Sequence, residues 1–147
     1  METREYLGHW LGVVSKALSR KCNAQLKQFD LTIQQFGVLN TLYTENRLTS
    51  RKLVNRLQSD SSSIMSLVDQ LEKKGLIVRE SSTRDRRIKH LVLTEKAITM
   101  KRALVKQVDE LDHELMGEIS ADEKDRTIKT LRKILDFALD DSFSGYQ

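Results

Sequence analysis

Apolar residues recur every three or four positions over most of the chain, which is the spacing of one face of an α-helix. The first stripe predicts one helix over residues 3–29, whose apolar face is larger than a small domain could cover. Part of that face is therefore expected to pack on a partner chain. A second helix is expected from Thr32, its N-cap, to about Glu45, with Gln35 as the capping-box partner. The first stripe consists of Leu7, Trp10, Leu11, Val14, Leu18, Cys22, Leu26 and Phe29.

Two shorter helices follow, separated by a polar break of about three residues. Thr49 or Ser50 is expected to cap the third helix, and Asp60 or Ser61 the fourth. Gly75 ends the fourth helix, because glycine readily takes the left-handed conformation that closes many helices. Two short helices in this arrangement, the second with a polar outer face, are typical of a helix-turn-helix. The inner stripe of the fourth helix is Ile64, Leu67, Val68 and Leu71.

A β-hairpin is predicted next. A strand begins at Leu76, and the alternation from Ile88 to Leu93 indicates the returning strand. Between them lies a polar tip, residues 81–87, which contains the string Arg84-Asp85-Arg86-Arg87. A hairpin that follows a helix-turn-helix predicts a wing.

Two long helices complete the chain. Thr94 is expected to cap the fifth, which runs to about Gly117, and Ser120 with Glu123 forms a capping box for the sixth. The fold class is therefore mainly α with a small two-stranded β wing. The predicted inward residues are Ile98, Leu104, Val105, Val108, Leu111, Leu115 and Met116 in the fifth helix, and Ile128, Leu131, Ile134, Leu135 and Ala138 in the sixth.

The positive charge is concentrated in the middle of the chain. Residues 48–96 hold 11 Lys and Arg against 6 Asp and Glu, although the whole chain has a net charge of only +4. A localised basic patch is typical of a protein that binds a polyanion.

The middle segment resembles the MarR/SlyA family of transcription regulators. The resemblance covers residues 30–97 by motif and the flanks by helix pattern. It is carried by Leu31-Thr32, Gln35-Phe36, Val38-Leu39, Leu48-Thr49, Leu53, Arg56-Leu57, Leu67-Val68-Asp69, Leu71 to Ile77, Asp85-Arg86-Arg87 and Leu93 to Lys96.

The resemblance implies a single domain over residues 1–147, with a winged helix-turn-helix DNA-binding lobe at 30–97. The helices at 1–29 and 98–141 would join two copies into a homodimer. Such a dimer binds a pseudo-palindromic operator in double-stranded DNA, and in many relatives a small phenolic or anionic effector releases it.

The DNA face is expected on the third and fourth helices. Phosphates would be met at the start of the third helix by Thr49, Ser50, Arg51 and Lys52. Bases would be read by Ser61, Ser62, Met65, Ser66 and Gln70, with Gln70 suited to adenine and Met65 to a thymine methyl group. This face lacks the arginine that is common in the family, and the wing is therefore expected to supply much of the affinity.

The wing arginines Arg84, Arg86 and Arg87 are expected to contact DNA, since an arginine-rich wing can enter a narrow minor groove. In the family, the counterparts of Asp85 and Arg87 form a recurring pair. Asp85 is accordingly expected to orient an arginine rather than to touch DNA.

An effector pocket is implied by the resemblance alone, with Trp10, Val14, Ala17 and Phe36 as candidate walls. Cys22 lies on the apolar stripe of the first helix, which favours an inert thiol over a redox switch. No ligand spacing links the three histidines, and no nucleophile motif or phosphate-binding glycine loop is present. We therefore expect no metal, no cofactor and no enzymatic activity.

Two other functions remain open from the sequence. One is an interaction module whose basic wing binds RNA or an acidic protein, and the other is a redox switch that acts through Cys22. The chain shows no signal peptide and no apolar run long enough to cross a membrane. The expected location is the cytoplasm of a bacterium or archaeon, in association with the nucleoid.

Overall fold

The computed structural model describes residues 6–140, which form six α-helices and a three-stranded antiparallel sheet. The chain divides into two compact units, Met1–Val108 and Asp109–Gln147. The helices are α1 (Leu7–Leu26), α2 (Ile33–Thr44), α3 (Ser50–Leu57), α4 (Ser61–Lys73), α5 (Glu95–Met116) and α6 (Ala121–Leu139), and the strands are β1 (Leu48–Thr49), β2 (Ile77–Ser81) and β3 (Lys89–Leu93). The mainly helical fold with a small β wing is confirmed.

The first helix ends earlier than its apolar stripe predicts. The chain tightens into a 3-10 helix at Lys27–Phe29 and turns at Asp30, whose φ is 55°. Residues 3–5 of the predicted helix lie outside the described part. Of the stripe, only Leu26 is buried in this chain, while Trp10 and Val14 are each 48% exposed. Within the described residues, therefore, α1 leaves most of its apolar face uncovered.

Local capping chemistry sets the start of α2 as the sequence predicts. The Thr32 hydroxyl accepts from the backbone N–H of Gln35 at 3.2 Å, and the side-chain oxygen Oε1 of Gln35 accepts from the backbone N–H of Thr32 at 3.1 Å. These two contacts satisfy backbone N–H groups that the first turn of a helix otherwise leaves unpaired. The helix then buries Phe36, Val38 and Leu39 in the core.

A side-chain cap marks the start of α3, and another marks the start of α4. Thr49 caps α3 by accepting from the Lys52 amide at 3.3 Å, and Asp60 caps α4 by accepting from the Ser63 amide at 2.8 Å. These contacts resolve the alternatives left open by the sequence in favour of Thr49 and Asp60. The break between the helices includes Gln58 in the left-handed conformation, with a φ of 49°.

Gly75 ends α4 in the conformation that the sequence predicts. Its φ is 71°, its amide donates to the Glu72 carbonyl, and the Leu76 amide donates to the Leu71 carbonyl, each at 2.9 Å. This is the Schellman arrangement, in which a left-handed residue folds the chain back over the last helical turn. The chain passes directly from this turn into β2.

The hairpin pairs β2 with β3, from Ile77 opposite Leu93 to Ser81 opposite Lys89. A third strand, β1, adds to the other edge of β3 and gives the order β1-β3-β2. The two-strand prediction missed β1 because a strand of two residues leaves no alternation to read. Its effect is to join the start of α3 to the base of the wing, since Thr49 pairs with His90.

The N-terminal part of α5 packs against the helix-turn-helix lobe. The Tyr43 hydroxyl of α2 donates to the Ala97 carbonyl at 2.7 Å, and the Lys101 ammonium lies 5.3 Å from the centre of the Tyr43 ring. Partial burial raises the pKa of Tyr43. Ala97 and Leu104 are fully buried, whereas Ile98, which the sequence places inside, is 47% exposed. The predicted stripe of α5 is therefore confirmed at Leu104 and Leu111 and wrong at Ile98, where the neighbouring Ala97 is buried instead.

Thr94, at the start of α5, is also bonded to the end of α4. Its hydroxyl donates to the Gly75 carbonyl at 2.7 Å and its amide donates to the Leu76 carbonyl at 3.1 Å. The Ala97 amide in turn donates to the Thr94 hydroxyl at 3.3 Å, as expected for a residue that caps α5.

The second unit contains the end of α5 and the whole of α6. The predicted capping box at Ser120 and Glu123 is present, and Lys124 pairs with Asp112 at 2.5 Å. The expectation that the apolar stripe of α6 lies inside the fold is wrong for the single chain. No residue of α6 is buried, and Leu135 is 45% exposed. A pattern analysis cannot tell burial within a chain from burial against another chain.

No helix in the described residues is long and apolar enough to cross a membrane.

Candidate nucleic-acid interface

The start of α3 presents the predicted phosphate-contacting residues on the surface. Arg51 and Lys52 are exposed, and Thr49 and Ser50 are half-buried. Helix N-termini attract anions, because their first N–H groups lack carbonyl partners and carry partial positive charge. Since the Thr49 hydroxyl accepts from the Lys52 amide, its capping role is settled whether or not it also meets a phosphate.

The outer face of α4 is polar and accessible. Ser62, Ser66 and Gln70 recur every four residues and are exposed, as is Ser61. Met65 differs from them, because it is half-buried and packs partly against the core. The structure therefore brings four of the five predicted base-reading residues onto an open surface.

The carboxylate of Asp60 has its protonation fixed by its role as the cap of α4. It accepts from the Ser62 hydroxyl at 2.7 Å as well as from the Ser63 amide. These hydrogen bonds favour the ionised form, and they lower the pKa of Asp60 to about 2. Asp60 is therefore ionised at neutral pH, and the Ser62 hydroxyl donates its proton to it.

Arg79 is an interface residue that sequence reasoning missed. From β2 it pairs with Asp69 at 2.6 Å and with Glu72, and both carboxylates belong to α4. Arg79 thus links the wing to α4, the helix expected to read bases. It also neutralises the charge of Asp69 on the exposed face of that helix. The sequence signal for this contact was the pair Asp69 and Glu72, which lie three residues apart on one side of α4. Their partner could not be predicted, because it is set by tertiary structure.

The tip of the wing is ordered by its own polar side chains. The Asp85 carboxylate accepts from the Arg87 amide at 2.9 Å, the Asp85 carbonyl accepts from the Ile88 amide at 3.0 Å, and the Ser82 hydroxyl accepts from the Arg84 amide at 3.3 Å. Asp85 therefore contacts Arg87 through the backbone and not through the guanidinium group.

The wing arginines have no acidic partner among the described residues, and neither does Arg51 at the start of α3. Arg84, Arg86 and Arg87 are exposed, and none forms an ion pair with residues 6–140. By contrast, Arg47 pairs with Glu80 at 2.5 Å and Arg56 with Glu45 at 2.7 Å. Among the arginines of the lobe at residues 30–97, the charge that has no acidic partner within the described residues therefore lies at the tip of the wing and at the start of α3.

Gln35 is the second residue whose part in the interface was missed. It is buried, at 3% exposed, and its side-chain nitrogen Nε2 donates to Oε1 of Gln70 at 2.7 Å. Oε1 of Gln35 accepts from the Lys74 ammonium at 3.2 Å as well as from the Thr32 amide. Nε2 of Gln70 donates to the Ser66 hydroxyl at 3.3 Å. A chain of polar groups thus runs from the cap of α2 to the outer face of α4.

The four candidate walls of an effector pocket are not equivalent. Phe36 belongs to the core, whereas Trp10, Val14 and Ala17 are exposed on α1. Cys22 is half-buried on the same helix. No group of three or more His, Cys, Asp or Glu side chains among residues 6–140 is arranged to hold a metal ion.

Comparison with known proteins finds the same fold and related sequences. The model of the MarR family matches residues 31–89. The HTH-type transcriptional regulator SarZ of Staphylococcus haemolyticus is 32% identical over 125 residues, which cover 85% of this chain and 84% of that protein.

Two solved structures extend this similarity to the terminal helices. MepR of S. aureus, in complex with DNA, is 27% identical with a TM-score of 0.82, and the match covers 90% of this chain and 98% of that one. The organohalide-sensing transcriptional regulator RdhR, in its 2,4-dichlorophenol-bound form, is 25% identical with a TM-score of 0.81, and the match covers 90% and 82% of the two chains.

The Asp60 cap predicts how stability depends on pH. Because the folded-state pKa is lowered from 3.8 to about 2, ionised Asp60 stabilises the fold above pH 3.8, and this contribution is lost as the pH falls through about 2. Asp60→Asn retains a capping oxygen but does not titrate. Chemical denaturation of both proteins between pH 5 and pH 2 should show wild type losing its advantage over the variant. Parallel stability curves would contradict the assignment.

Proposed function

The chain belongs to the MarR family of DNA-binding transcription regulators, and we propose that it binds a pseudo-palindromic operator as a homodimer. The observation that carries this proposal is the exposed cluster of Arg84, Arg86 and Arg87 at the tip of the wing, which has no acidic partner among residues 6–140. Arg79 links the same wing to α4. Affinity would come from the wing and the start of α3, and sequence preference from the outer face of α4. Two copies would place their α4 helices about 34 Å apart, one turn of DNA.

The contrast among the arginines supports assigning DNA contact to the wing. An arginine that is already paired with a carboxylate offers less net charge to a phosphate. Arg84, Arg86 and Arg87 have no such partner among the described residues, and the Asp85 contact holds the backbone of Arg87 while leaving its guanidinium group free. The similarity to MepR, which was solved in complex with DNA, agrees with this use of the surface.

The exposed apolar stripe of α6 supports the homodimer. Ile128, Leu131, Leu135 and Leu139 lie on one side of the helix and are 39–50% exposed in the single chain. Exposure of a row of large apolar side chains to water is unfavourable. In a two-fold symmetric dimer, the same helix of the second copy would bury this row. The uncovered face of α1 points to the same conclusion.

A small phenolic or anionic effector is proposed to release the DNA. Support comes from the 2,4-dichlorophenol-bound relative and from the exposed apolar residues Trp10, Val14 and Ala17 on α1. Lys16 and Arg20 on the same helix could neutralise a carboxylate.

Arg87→Ala is expected to weaken operator binding roughly tenfold or more at fixed salt, because it removes a charge from each wing of the dimer. The measurement is a mobility-shift titration with a selected operator. Arg102→Ala is the matched control, since Arg102 is also exposed but lies on α5. Equal affinity of the Arg87 variant and the control would contradict the wing assignment.

Leu135→Asp is expected to dissociate the dimer. The change removes the burial of one leucine in each copy, worth roughly 1.5–3 kcal/mol per copy, and places a charge in the apolar contact. Sedimentation across a concentration series should show a monomer where wild type is a dimer. Thr130→Asp adds the same charge at an exposed position on another side of α6, away from the apolar stripe, and should leave the dimer intact. A dimeric Leu135 variant would exclude this face.

Salicylate or 2,4-dichlorophenol, titrated into the preformed complex, is expected to release the operator in a saturable manner. Trp10→Ala should shift the release to higher ligand concentration if Trp10 is a wall of the pocket. Sodium benzenesulfonate at equal ionic strength controls for salt, since added ions alone weaken DNA binding. Release that follows ionic strength and not the identity of the ligand would remove the effector from the proposal.

A further inference from the structure

We propose that Gln70 determines operator sequence as a hydrogen-bond donor, because Gln35 fixes the orientation of its carboxamide. This inference rests on the proposed function, since it assigns the outer face of α4 to base reading. It replaces the expectation that Gln70 pairs with adenine. It also gives Gln35, a buried residue away from the surface, a positioning role in specificity.

The orientation of Gln35 follows from its donors. One atom of its carboxamide lies 3.1 Å from the Thr32 backbone nitrogen and 3.2 Å from the Lys74 ammonium. A backbone N–H and an ammonium group can only donate, so the atom that meets both must be the carboxamide oxygen. The assignment is therefore set by chemistry and not by the labelling of two similar atoms.

The orientation of Gln70 then follows from that of Gln35. The remaining atom of the Gln35 carboxamide is the nitrogen, which can only donate, and it lies 2.7 Å from the Gln70 side chain. The atom of Gln70 that receives it must be the oxygen. Gln35 is 3% exposed, and a buried donor left without an acceptor is strongly unfavourable, which holds the pair in this arrangement.

The outer face of α4 consequently offers a defined pattern of donors and acceptors. Nε2 of Gln70 faces Ser66, whose hydroxyl accepts one of its two protons, so the second N–H and the Ser66 proton remain for a ligand. At the other end of the stripe, Ser62 donates its proton to Asp60 and can only accept from a ligand. Along α4 the pattern is acceptor at Ser62, then donor at Ser66 and Gln70.

This pattern decides which base suits Gln70. Adenine is read by an amide that offers its oxygen to N6 and its nitrogen to N7 together, whereas the Gln70 oxygen is turned toward the buried Gln35 side chain. Guanine presents two adjacent acceptors in the major groove, O6 and N7, and thymine presents O4. Gln70 is therefore expected to read guanine, whose two adjacent acceptors match the donors of Gln70 and Ser66.

The same network provides the test. Gln35→Glu keeps an oxygen for Thr32 and Lys74, but its second oxygen can only accept, so Gln70 must turn its nitrogen inward and its oxygen outward. Glutamate is itself a usual capping-box residue, and the Lys74 ammonium compensates its charge. Gln70→Glu reaches the same outward acceptor without altering a buried residue. Gln34→Glu, at the exposed neighbouring position, is the matched control for added charge.

The experiment selects bound sequences from random double-stranded DNA with wild type, Gln70→Ala, Gln35→Glu, Gln70→Glu and Gln34→Glu, and then measures affinities for operators changed at single base pairs. Gln70→Ala should abolish a preference of about tenfold at one base pair in each half-site, and that pair should be guanine–cytosine in wild type. Both glutamate variants, at positions 35 and 70, should prefer adenine or cytosine where wild type selects that guanine. Gln34→Glu should keep the wild-type preference.

A wild-type preference for an adenine–thymine pair at the Gln70-dependent position would overturn the inference. So would an unchanged preference in the Gln70→Glu variant, which does not depend on tolerance of a buried substitution. If wild type selects a palindrome in which no pair depends on Gln70, the inference fails and the proposed function stands. If wild type selects no sequence at all, the proposed function itself fails.

Discussion

The burial of one side of α4 is the constraint on which the DNA-binding face depends. Ile64, Val68 and Leu71 are at most 3% exposed, and burying such side chains is worth roughly 1.5–3 kcal/mol each. Because a helix has 3.6 residues per turn, holding these three inward forces Ser62, Ser66 and Gln70 outward. The Schellman turn at Gly75 then fixes where the helix ends and where the wing begins. The side chains that we propose to read DNA are therefore oriented by buried residues on the opposite side of α4.

Local chemistry explains why much of the fold could be predicted from the sequence. The caps at Thr32, Thr49, Asp60 and Ser120 and the turn at Gly75 depend on residues within a few positions of one another. The missed features join distant parts of the chain. Arg79 meets Asp69 ten residues earlier, and Gln35 meets Gln70 across 35 residues. Leu135 and Ile98 were predicted to face inward and are exposed in the single chain, because an apolar pattern does not say which surface will cover an apolar face.

Charge in the lobe serves two separate purposes. Arg47, Arg56 and Arg79 each pair with a carboxylate and join elements that are distant in sequence. The tip arginines have no such partner among residues 6–140, and neither does Arg51 at the start of α3, so their charge remains for an anionic ligand. Exposed ion pairs contribute little to stability, at about 0–1 kcal/mol.

Two hydrogen bonds, from Thr94 to Gly75 and to Leu76, join the start of α5 to the turn that ends α4. Two hydrogen bonds of this kind contribute on the order of 0.5–1.5 kcal/mol each, and they act on backbone that is already closed by the Schellman turn. A tilt of the first turns of α5 must then move the C-terminal end of α4, unless those bonds break. The position of the first turn of α5 and that of the C-terminal end of α4 are therefore coupled in this chain.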